Sequence, residues 1–333
     1  MGLDEFLEEW NSPSATVLVH TSGSTGKPKP MMAEKRRMQA SARITCSFLG
    51  LKAGDTALLC LPLDYIAGKM MVVRAITCGL RLLPVPPVGM PVWEGHVDFA
   101  AMVPLQVSRL LDDEQGRQRL RAVRHLIIGG GAIDDALASR LADMPGHVWS
   151  TYGMTETLSH IALRRLNGPD SSQWYTPFEG VGVSLSADGC LVIDAPAVHD
   201  GPLVTNDIAQ LQTAGATTQF RILGRKDNVV CSGGIKIQIE QVEQLLSSHI
   251  DAPFLITKAP HAQLGEQVVM LTESSDTDAL LQVCRRVLPR YWVPRRVVTI
   301  DRLPMTETGK PARAAAMQYL LQSTGDGSCP HDR

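Results

Sequence analysis

The sequence predicts an α/β protein whose large amino-terminal domain is built on a mostly parallel sheet. Short apolar runs, typical of buried strands, alternate with segments whose apolar residues recur at helical spacing. Loops rich in glycine or hydroxyl residues directly follow two of these runs, at residues 21–29 and 129–131. A smaller α+β domain is predicted beyond Asp227, and 333 residues suffice for both domains.

The first domain supplies the alternating pattern on which this fold class rests. Strands are predicted at residues 16–19, 56–61, 80–84, 98–103, 125–128 and 148–152. Helices are predicted at residues 34–49, 64–74, 105–111 and 134–144. Gly50 stands where the first of these helices should end. Gly79 lies in a predicted turn that leads into the strand at residues 80–84.

The second half of the chain changes character. Alternating strands around Asp188 and Gly189 predict a β-rich subdomain that continues to residue 226. We therefore predict a large domain at residues 1–226, a domain boundary at Asp227 and a small domain at residues 228–322. Residues 323–333 are polar and predicted to be a disordered tail.

Composition excludes several classes of protein. A formal net charge of -2, with 44% hydrophobic and 20% charged residues, lacks the basic excess that nucleic-acid binding favours. Seven scattered cysteines without a Cys-x-x-Cys pair indicate neither a disulfide framework nor a zinc site. No apolar run approaches the roughly 18 residues of a membrane span, and the amino terminus is acidic. We expect a cytoplasmic protein that binds small molecules.

The loop at residues 21–29 has the chemistry of a polyphosphate site. Glycines allow close backbone approach, hydroxyls donate hydrogen bonds and lysines supply charge. The spacing differs from a Walker A loop, and Pro28 disfavours a helix beginning at Lys27. A surface linker is the alternative, but an apolar strand directly upstream argues against it. The candidate phosphate-binding residues are Thr21, Ser22, Gly23, Ser24, Thr25, Gly26 and Lys29.

Two further strand ends carry candidate binding residues. Gly129, Gly130 and Gly131 follow a predicted strand, where open α/β sheets bind ligands. Tyr152, Thr155 and Glu156 follow the next one, and an aromatic ring can stack on a base while a carboxylate can hold Mg²⁺. A tight turn, a packed tyrosine and a solvated glutamate are the alternatives.

The order of these motifs resembles the adenylate-forming acyl-CoA synthetase superfamily of AMP-binding enzymes. The resemblance extends from about residue 16 to 313 and is carried by residues 21–29, 129–132, 152–156, 205–207, 224–227, 232–234 and 309–310. Segments 61–69 and 98–104 are most similar to the o-succinylbenzoate:CoA ligases of menaquinone biosynthesis, in a short form.

The resemblance implies an ATP-dependent ligase that adenylates a carboxylic acid and then transfers the acyl group to coenzyme A. It assigns residues 21–25 and Lys29 to the β- and γ-phosphates, Thr155 to the α-phosphate and Glu156 to Mg²⁺. Gly129, Gly130, Gly131 and Tyr152 would hold adenine, and Asp207 and Arg225 the ribose.

The same resemblance implies a small domain that works in two orientations. Lys310 would reach the α-phosphate and the acid during adenylation. Rotation about the hinge at Asp227 would then present Ser232, Gly233 and Gly234 to the thiol of coenzyme A. These roles follow from the resemblance and not from the spacing of the residues.

Several positions depart from the family pattern. Only about twenty residues precede Thr21, so the resemblance implies a largely absent amino-terminal subdomain and an exposed sheet edge, which a homodimer could cover. Tyr65 stands where many relatives have a pocket histidine. A second carboxylate on the acid would need a cation or polar partner, and the candidates are Lys69, Arg74, Ser159 and His160. Solvated helix surface is the alternative for both cations.

Two other functions remain open from the sequence. One is an adenylating enzyme for another aryl or fatty acid, or for a carrier-protein thiol. The other is a non-catalytic nucleotide-binding protein. Retention of Lys29, Glu156 and Lys310 argues against the second, because a structural protein has no need of this set of charges.

Overall fold

The computed structural model describes residues 1–20, 30–215, 217–305 and 311–323. Its α-helices are α1 (Leu3–Asn11), α2 (Lys35–Leu49), α3 (Ile66–Cys78), α4 (Pro104–Asp112), α5 (Glu114–Arg121), α6 (Asp135–Leu141), α7 (Ile239–Ser247), α8 (Thr277–Val287) and α9 (Arg313–Ser323). Single turns of 3₁₀ helix lie at Thr155–Thr157, Lys226–Asn228 and Arg290–Trp292.

The strands of the described residues fall into four sheets. In the large domain they are β1 (Thr16–His20), β2 (Pro30–Glu34), β3 (Thr56–Leu59), β4 (Arg81–Pro84), β5 (Val97–Met102), β6 (Val123–Ile128), β7 (His147–Gly153), β8 (His160–Arg165), β9 (Thr176–Pro177), β10 (Gly182–Leu185), β11 (Cys190–Asp194), β12 (Leu203–Ala214) and β13 (Thr217–Arg225). The small domain contains β14 (Val229–Ser232), β15 (Ile235–Gln238), β16 (Phe254–His261), β17 (Gly265–Thr272) and β18 (Arg296–Thr299).

A seven-stranded sheet in the order β4-β3-β5-β6-β7-β8-β9 forms the centre of the large domain. Neighbouring strands from β4 to β7 run parallel, whereas β8 and β9 are antiparallel. Helices cover both faces, with α2 and α3 in one apolar cluster and α4, α5 and α6 in another. Burial on two sides explains why these strands are continuously apolar, and the predicted α/β fold class is confirmed.

The β-rich subdomain and the small domain also follow the predicted order of elements. Strands β10 to β13 form an antiparallel sheet, and Gly189 has a φ of 77° in the turn between β10 and β11. In the small domain, β15, β14, β17 and β16 are consecutive neighbours and β18 pairs in parallel with β17. Asp227 lies in the single helical turn between β13 and β14. The division into domains and the hinge remain predictions.

Some elements differ from the sequence-based prediction. Helices α1 and α5 were not predicted, because both are short and strongly charged. Glu34 was placed in a helix but ends β2, and the helix begins at Lys35. Helix α6 ends at Leu141, three residues before the predicted end. Ser323, the first residue of the predicted tail at 323–333, instead ends α9, and residues 324–333 lie outside the described residues. No described helix has the length and apolar character needed to cross a membrane.

A cluster of ionisable side chains lies on β6 and β7, away from the strand ends that carry the motifs. His125 and His147 are neighbours in register, and their rings stack with centroids 4.9 Å apart. Burial, followed by the charges of His147 and Arg124, lowers the pKa of His125 to about 4. Arg165 acts in the same direction and Asp55 opposes it. The folded protein therefore holds His125 in the neutral form.

Because the folded protein keeps His125 neutral, we expect the free energy of unfolding to decrease in mild acid. The unfolded chain binds a proton at His125 near pH 6.5 and the folded chain only near pH 4, so the stabilisation is complete above pH 6.5 and declines between these values. We expect the free energy of unfolding to fall by about 2 kcal/mol over this window. Urea unfolding from pH 4 to 8 measures it. The variant His125→Phe keeps an aromatic ring against His147 but cannot bind a proton, so its free energy of unfolding should depend less on pH. If the pH dependence were the same as in the wild type, this explanation would be wrong.

Candidate active site

The predicted adenine-binding residues meet at the carboxyl ends of β6 and β7. The amide of Gly129 donates to the carbonyl of Met102 at 3.1 Å, which aligns the glycine loop with β5. A side chain at Gly129 would place its Cβ 2.3 Å from Oγ1 of Thr151. Gly130 has a φ of 78°, in the left-handed region that favours glycine. The backbone conformation therefore favours glycine at residue 130, and the close approach of the Thr151 side chain favours it at residue 129.

Hydrogen bonds join these strand ends to the β-rich subdomain. The Tyr152 hydroxyl donates to Oδ2 of Asp207 at 2.7 Å, and Nη1 of Arg225 lies 3.3 Å from the other carboxylate oxygen. The second guanidinium nitrogen of Arg225 donates to Asp227 at 3.0 Å. Burial and the neighbouring Asp207 raise the pKa of Tyr152, so the phenol stays protonated. The structure brings the candidate adenine and ribose residues into one cluster.

Thr155 and Glu156 lie in the turn that leads from β7 to β8. The amide of Met154 donates to Oγ1 of Thr157, and the Thr157 hydroxyl donates to the carbonyl of Ser159 at 2.8 Å. Leu158 is buried with a φ of 63°, a conformation that a leucine adopts only when its surroundings impose it. Thr155 is buried and Glu156 is half-buried. The backbone of this turn is thus fixed by local contacts.

A second polar cluster surrounds Arg74, and only 2% of this residue is exposed. Its Nη2 donates to Oγ of Ser159 at 2.6 Å, while Nε is buried without a partner among the described residues. Ser159 contacts Nδ1 of His160 at 3.2 Å, and Nε2 of His160 contacts Oγ1 of Thr45 at 3.0 Å. Burial and then Arg74 lower the pKa of His160 well below its usual value, so its ring is neutral.

No carboxylate in the described part of the chain pairs with Arg74. Burial lowers the pKa of its guanidinium to about 10, which still leaves the group charged at neutral pH. His160 also lines a cavity of about 160 Å³, together with Ile44, Phe178 and Val198. A buried cation without a counter-charge costs folding free energy, so it points to an anionic ligand.

Lys69 lies apart from this cluster. Lys69 is buried, but its Nζ donates to the carbonyl of Leu18 at 2.6 Å and lies 3.6 Å from Oε2 of Glu9. Tyr65 is half-buried and precedes the first residue of α3. The structure does not bring Lys69 together with Arg74, because these side chains contact different elements.

The predicted thiol-facing segment forms a turn in the small domain. Ser232 ends β14, and Gly233 and Gly234 have φ values of 58° and 85°. The amide of Gly233 donates to the carbonyl of Leu264 at 2.9 Å. The phosphate loop at residues 21–29 and the predicted catalytic Lys310 lie outside the described residues. The ends of these two segments are paired, His20 with Pro30 and Met305 with Pro311.

Residues between the two domains were not found by sequence reasoning. A Cβ on Gly224 would lie 2.2 Å from Nε2 of Gln238, whose amide donates to the carbonyl of Arg225 at 2.9 Å. Asn228 donates to Glu240. Gln238 and Glu240 carry no motif, and their only sequence signal is their position at the start of an amphipathic helix.

Comparisons with known proteins agree with this arrangement. The model of the AMP-binding enzyme family matches residues 4–202. A 2-succinylbenzoate--CoA ligase of Bacillus cereus strain AH820 is 25% identical, and the alignment covers 94% of this chain and 72% of the relative.

Solved structures are similar as well. An acyl-CoA synthetase (AMP-forming)/AMP-acid ligase II-like protein from Dyadobacter fermentans is 33% identical with a TM-score of 0.62, covering 95% of this chain and 93% of that one. An O-succinylbenzoate coenzyme A synthetase from Bacillus subtilis, solved with ATP and magnesium, is 22% identical with a TM-score of 0.74, covering 89% and 68%.

The chain belongs to the AMP-binding enzyme family. The predicted class, an AMP-forming acid:CoA ligase, is confirmed at that level. The likeness to the Bacillus subtilis structure shows the fold alone. The roles of individual site residues remain predictions.

Because Arg74 is buried without a carboxylate partner in the described part of the chain, we expect it to lower the stability of the protein in the absence of a ligand. We expect Arg74→Met to raise the free energy of unfolding by about 1–3 kcal/mol, because an apolar chain of similar length removes an uncompensated buried charge. Arg313→Met is the matched control, since Arg313 forms a two-pronged pair with Glu243 at 2.9 and 2.6 Å and its loss should destabilise the protein. Urea unfolding monitored by tryptophan fluorescence measures both. A destabilised Arg74→Met would contradict the expectation.

Proposed function

We propose that this AMP-forming ligase activates o-succinylbenzoate in menaquinone biosynthesis. The observation that carries the proposal is the buried Arg74, which has no carboxylate partner in the described part of the chain. o-Succinylbenzoate has two carboxylates, so one can react while the other meets the guanidinium. The names of the relatives that are 25% identical support the same acid.

The surroundings of Arg74 suit an aromatic dianion. Ser159 and the neutral His160 offer polar atoms next to the guanidinium. The cavity of about 160 Å³ that His160 lines is mostly apolar and similar in size to a cavity of about 150 Å³ that holds a benzene ring, and Arg74 is linked to it through Ser159 and His160. Lys69 is not part of this proposal, since its ammonium group contacts Leu18 and Glu9 instead.

The first proposed step joins the acid to the nucleotide. A carboxylate oxygen attacks the α-phosphorus of ATP, and the bond to the leaving pyrophosphate breaks. Charge grows on the α-phosphate, so donors fixed beforehand lower the barrier. We assign Thr155 to the α-phosphate, Lys310 to the α-phosphate and the acid, and residues 21–25 with Lys29 to the β- and γ-phosphates. These assignments rest on the motifs.

The nucleoside half of the site is assigned from the same cluster. Gly129, Gly130 and Gly131 would lie against one face of adenine and Tyr152 against the other. Asp207 uses one oxygen for Tyr152 and the other for Arg225, and each oxygen has a further lone pair for a ribose hydroxyl. The hydrogen bond from Tyr152 thus orients the carboxylate that would accept the ribose.

Glu156 is the proposed protein ligand of Mg²⁺. No group of three or more His, Cys, Asp or Glu side chains that could hold a metal occurs among the residues described. Mg²⁺ often takes one or two carboxylates from a protein and completes its coordination with substrate phosphates and water. When bound, the ion would neutralise charge on the phosphates.

In the second proposed step the thiol of coenzyme A attacks the acyl carbon, and AMP leaves. Ser232, Gly233 and Gly234 would face the thiol after the small domain turns about Asp227. Such a turn would have to break the hydrogen bond between Gln238 and the carbonyl of Arg225. A hinge needs only a few residues that absorb backbone change.

An acid panel tests the identity of the substrate. Arg74→Met should lower kcat/KM for o-succinylbenzoate about 100-fold, while the value for benzoate changes less than about threefold, because only the dianion uses the guanidinium. Pyrophosphate release with and without coenzyme A measures both acids. Arg81→Met is the control, since Arg81 is exposed and donates to Thr56. Equal losses on both acids would refute the role of Arg74.

A lysine variant separates catalysis from nucleotide binding alone. Lys310→Ala should lower pyrophosphate release at least about 100-fold and leave the affinity for ATP within about threefold, because the lysine acts on charge that develops during adenylation. Titration calorimetry with MgATP measures the affinity. Lys52→Ala, at an exposed lysine, is the control. If wild-type protein bound ATP but released no pyrophosphate with any acid, the chain would be a nucleotide-binding protein without this activity.

A further inference from the structure

Strand β1 has one backbone edge that pairs with side chains instead of a strand. Among the described residues β1 pairs only with β2. At Leu18, on the other edge, the amide donates to Oε1 of Glu9 at 3.0 Å and the carbonyl accepts from Nζ of Lys69 at 2.6 Å. Glu9 and Lys69 thus satisfy both polar backbone groups of one residue, as a neighbouring strand would.

The two side chains also pair with each other in a shielded place. Nζ of Lys69 lies 3.6 Å from Oε2 of Glu9, with exposed side-chain fractions of 3% and 27%. The ammonium group is 5.3 Å from the centroid of the Phe6 ring. The ammonium group is almost fully buried, so water screens its attraction to the carboxylate less than at an open surface. Both polar backbone groups of Leu18 are therefore held on this edge of β1.

Leu18 lies close to the candidate phosphate loop. The register pairs Leu18 with Met32 and His20 with Pro30, so residues 21–29 leave and rejoin the chain at one end of this two-stranded ladder. A shift of β1 at Leu18 would be transmitted along the ladder to His20, which is the residue before the loop. Small displacements of phosphate-binding groups have large effects on nucleotide affinity and on rate.

We propose that Glu9 and Lys69 are positioning residues for the phosphate loop, acting through the backbone of Leu18. This inference rests on the proposed function, because it takes residues 21–29 as the cradle of the ATP phosphates. Lys69 then has a role on the nucleotide side of the reaction and none in recognition of the acid. The pair fixes the direction in which the chain enters the loop.

Kinetics of Lys69→Met test the proposal. We expect the KM for MgATP to rise about tenfold while the KM for the acid changes less than about twofold. Lys35→Met is the matched control, because Nζ of Lys35 donates to the carbonyl of Ser12 at 2.9 Å and does not contact Leu18. The control should keep both KM values. Equal increases for ATP and acid, or no increase, would overturn the proposal.

A double variant separates positioning from simple loss of stability. Lys69→Met alone leaves Glu9 as an unpaired charge, whereas Glu9→Gln with Lys69→Met removes that charge and still lacks the ammonium donor to Leu18. We expect the thermal midpoint of the double variant to recover toward wild type and the KM for MgATP to stay raised. Recovery of both together would mean that Lys69 acts only through folding, against the proposal.

Direct binding distinguishes failure of this inference from failure of the proposed function. Titration calorimetry with MgATP needs no turnover, so it reports on Lys69→Met even if no acid is activated. If wild type and variant bind ATP equally, the inference fails and the function can stand. If wild type binds ATP more tightly than the variant but no acid is adenylated, the inference stands and the function fails. If wild type does not bind ATP, both fail.

Discussion

The hydrogen bond between Tyr152 and Asp207 holds the candidate site together. Tyr152 belongs to the central sheet and Asp207 to the antiparallel sheet of the β-rich subdomain, and Arg225 continues the contact to Asp227. The cluster of Tyr152, Asp207 and Arg225 therefore exists only when the two sheets are docked. Burial strengthens this bond, because an exposed hydroxyl would exchange it for water at little cost. Correct docking of the sheets is thus a condition for the proposed binding of the nucleoside.

Helix α3 carries two buried cations, of which one is paired with a carboxylate and the other is not, within the described part of the chain. Lys69 is neutralised by Glu9 and fixes a strand, whereas Arg74 has no carboxylate among the residues described. A paired charge can support structure, but an unpaired one lowers stability unless a ligand compensates it. The helix therefore combines a structural cation and a candidate binding cation five residues apart.

Sequence reasoning located the strand ends because glycine loops and hydroxyl motifs follow apolar runs directly. It could not separate Lys69 from Arg74 by motif, although residues five apart on a helix point about 140° away from each other. That angle was available from the sequence. The partner of Lys69 was not, because Glu9 lies on a short charged helix whose contact with α3 arises only from tertiary packing. The contact of Gly224 with Gln238 was hidden for the same reason.

The close approach of Gly224 to Gln238 limits which residues position 224 can accept. A Cβ there would displace the amide of Gln238, which donates to the carbonyl of Arg225, and the φ of 152° is one that residues with side chains rarely adopt. Because Arg225 follows directly and contacts Asp207, a larger residue at position 224 would also disturb the proposed ribose site. The glycine thus restricts evolutionary change at a position that carries no chemically active group of its own.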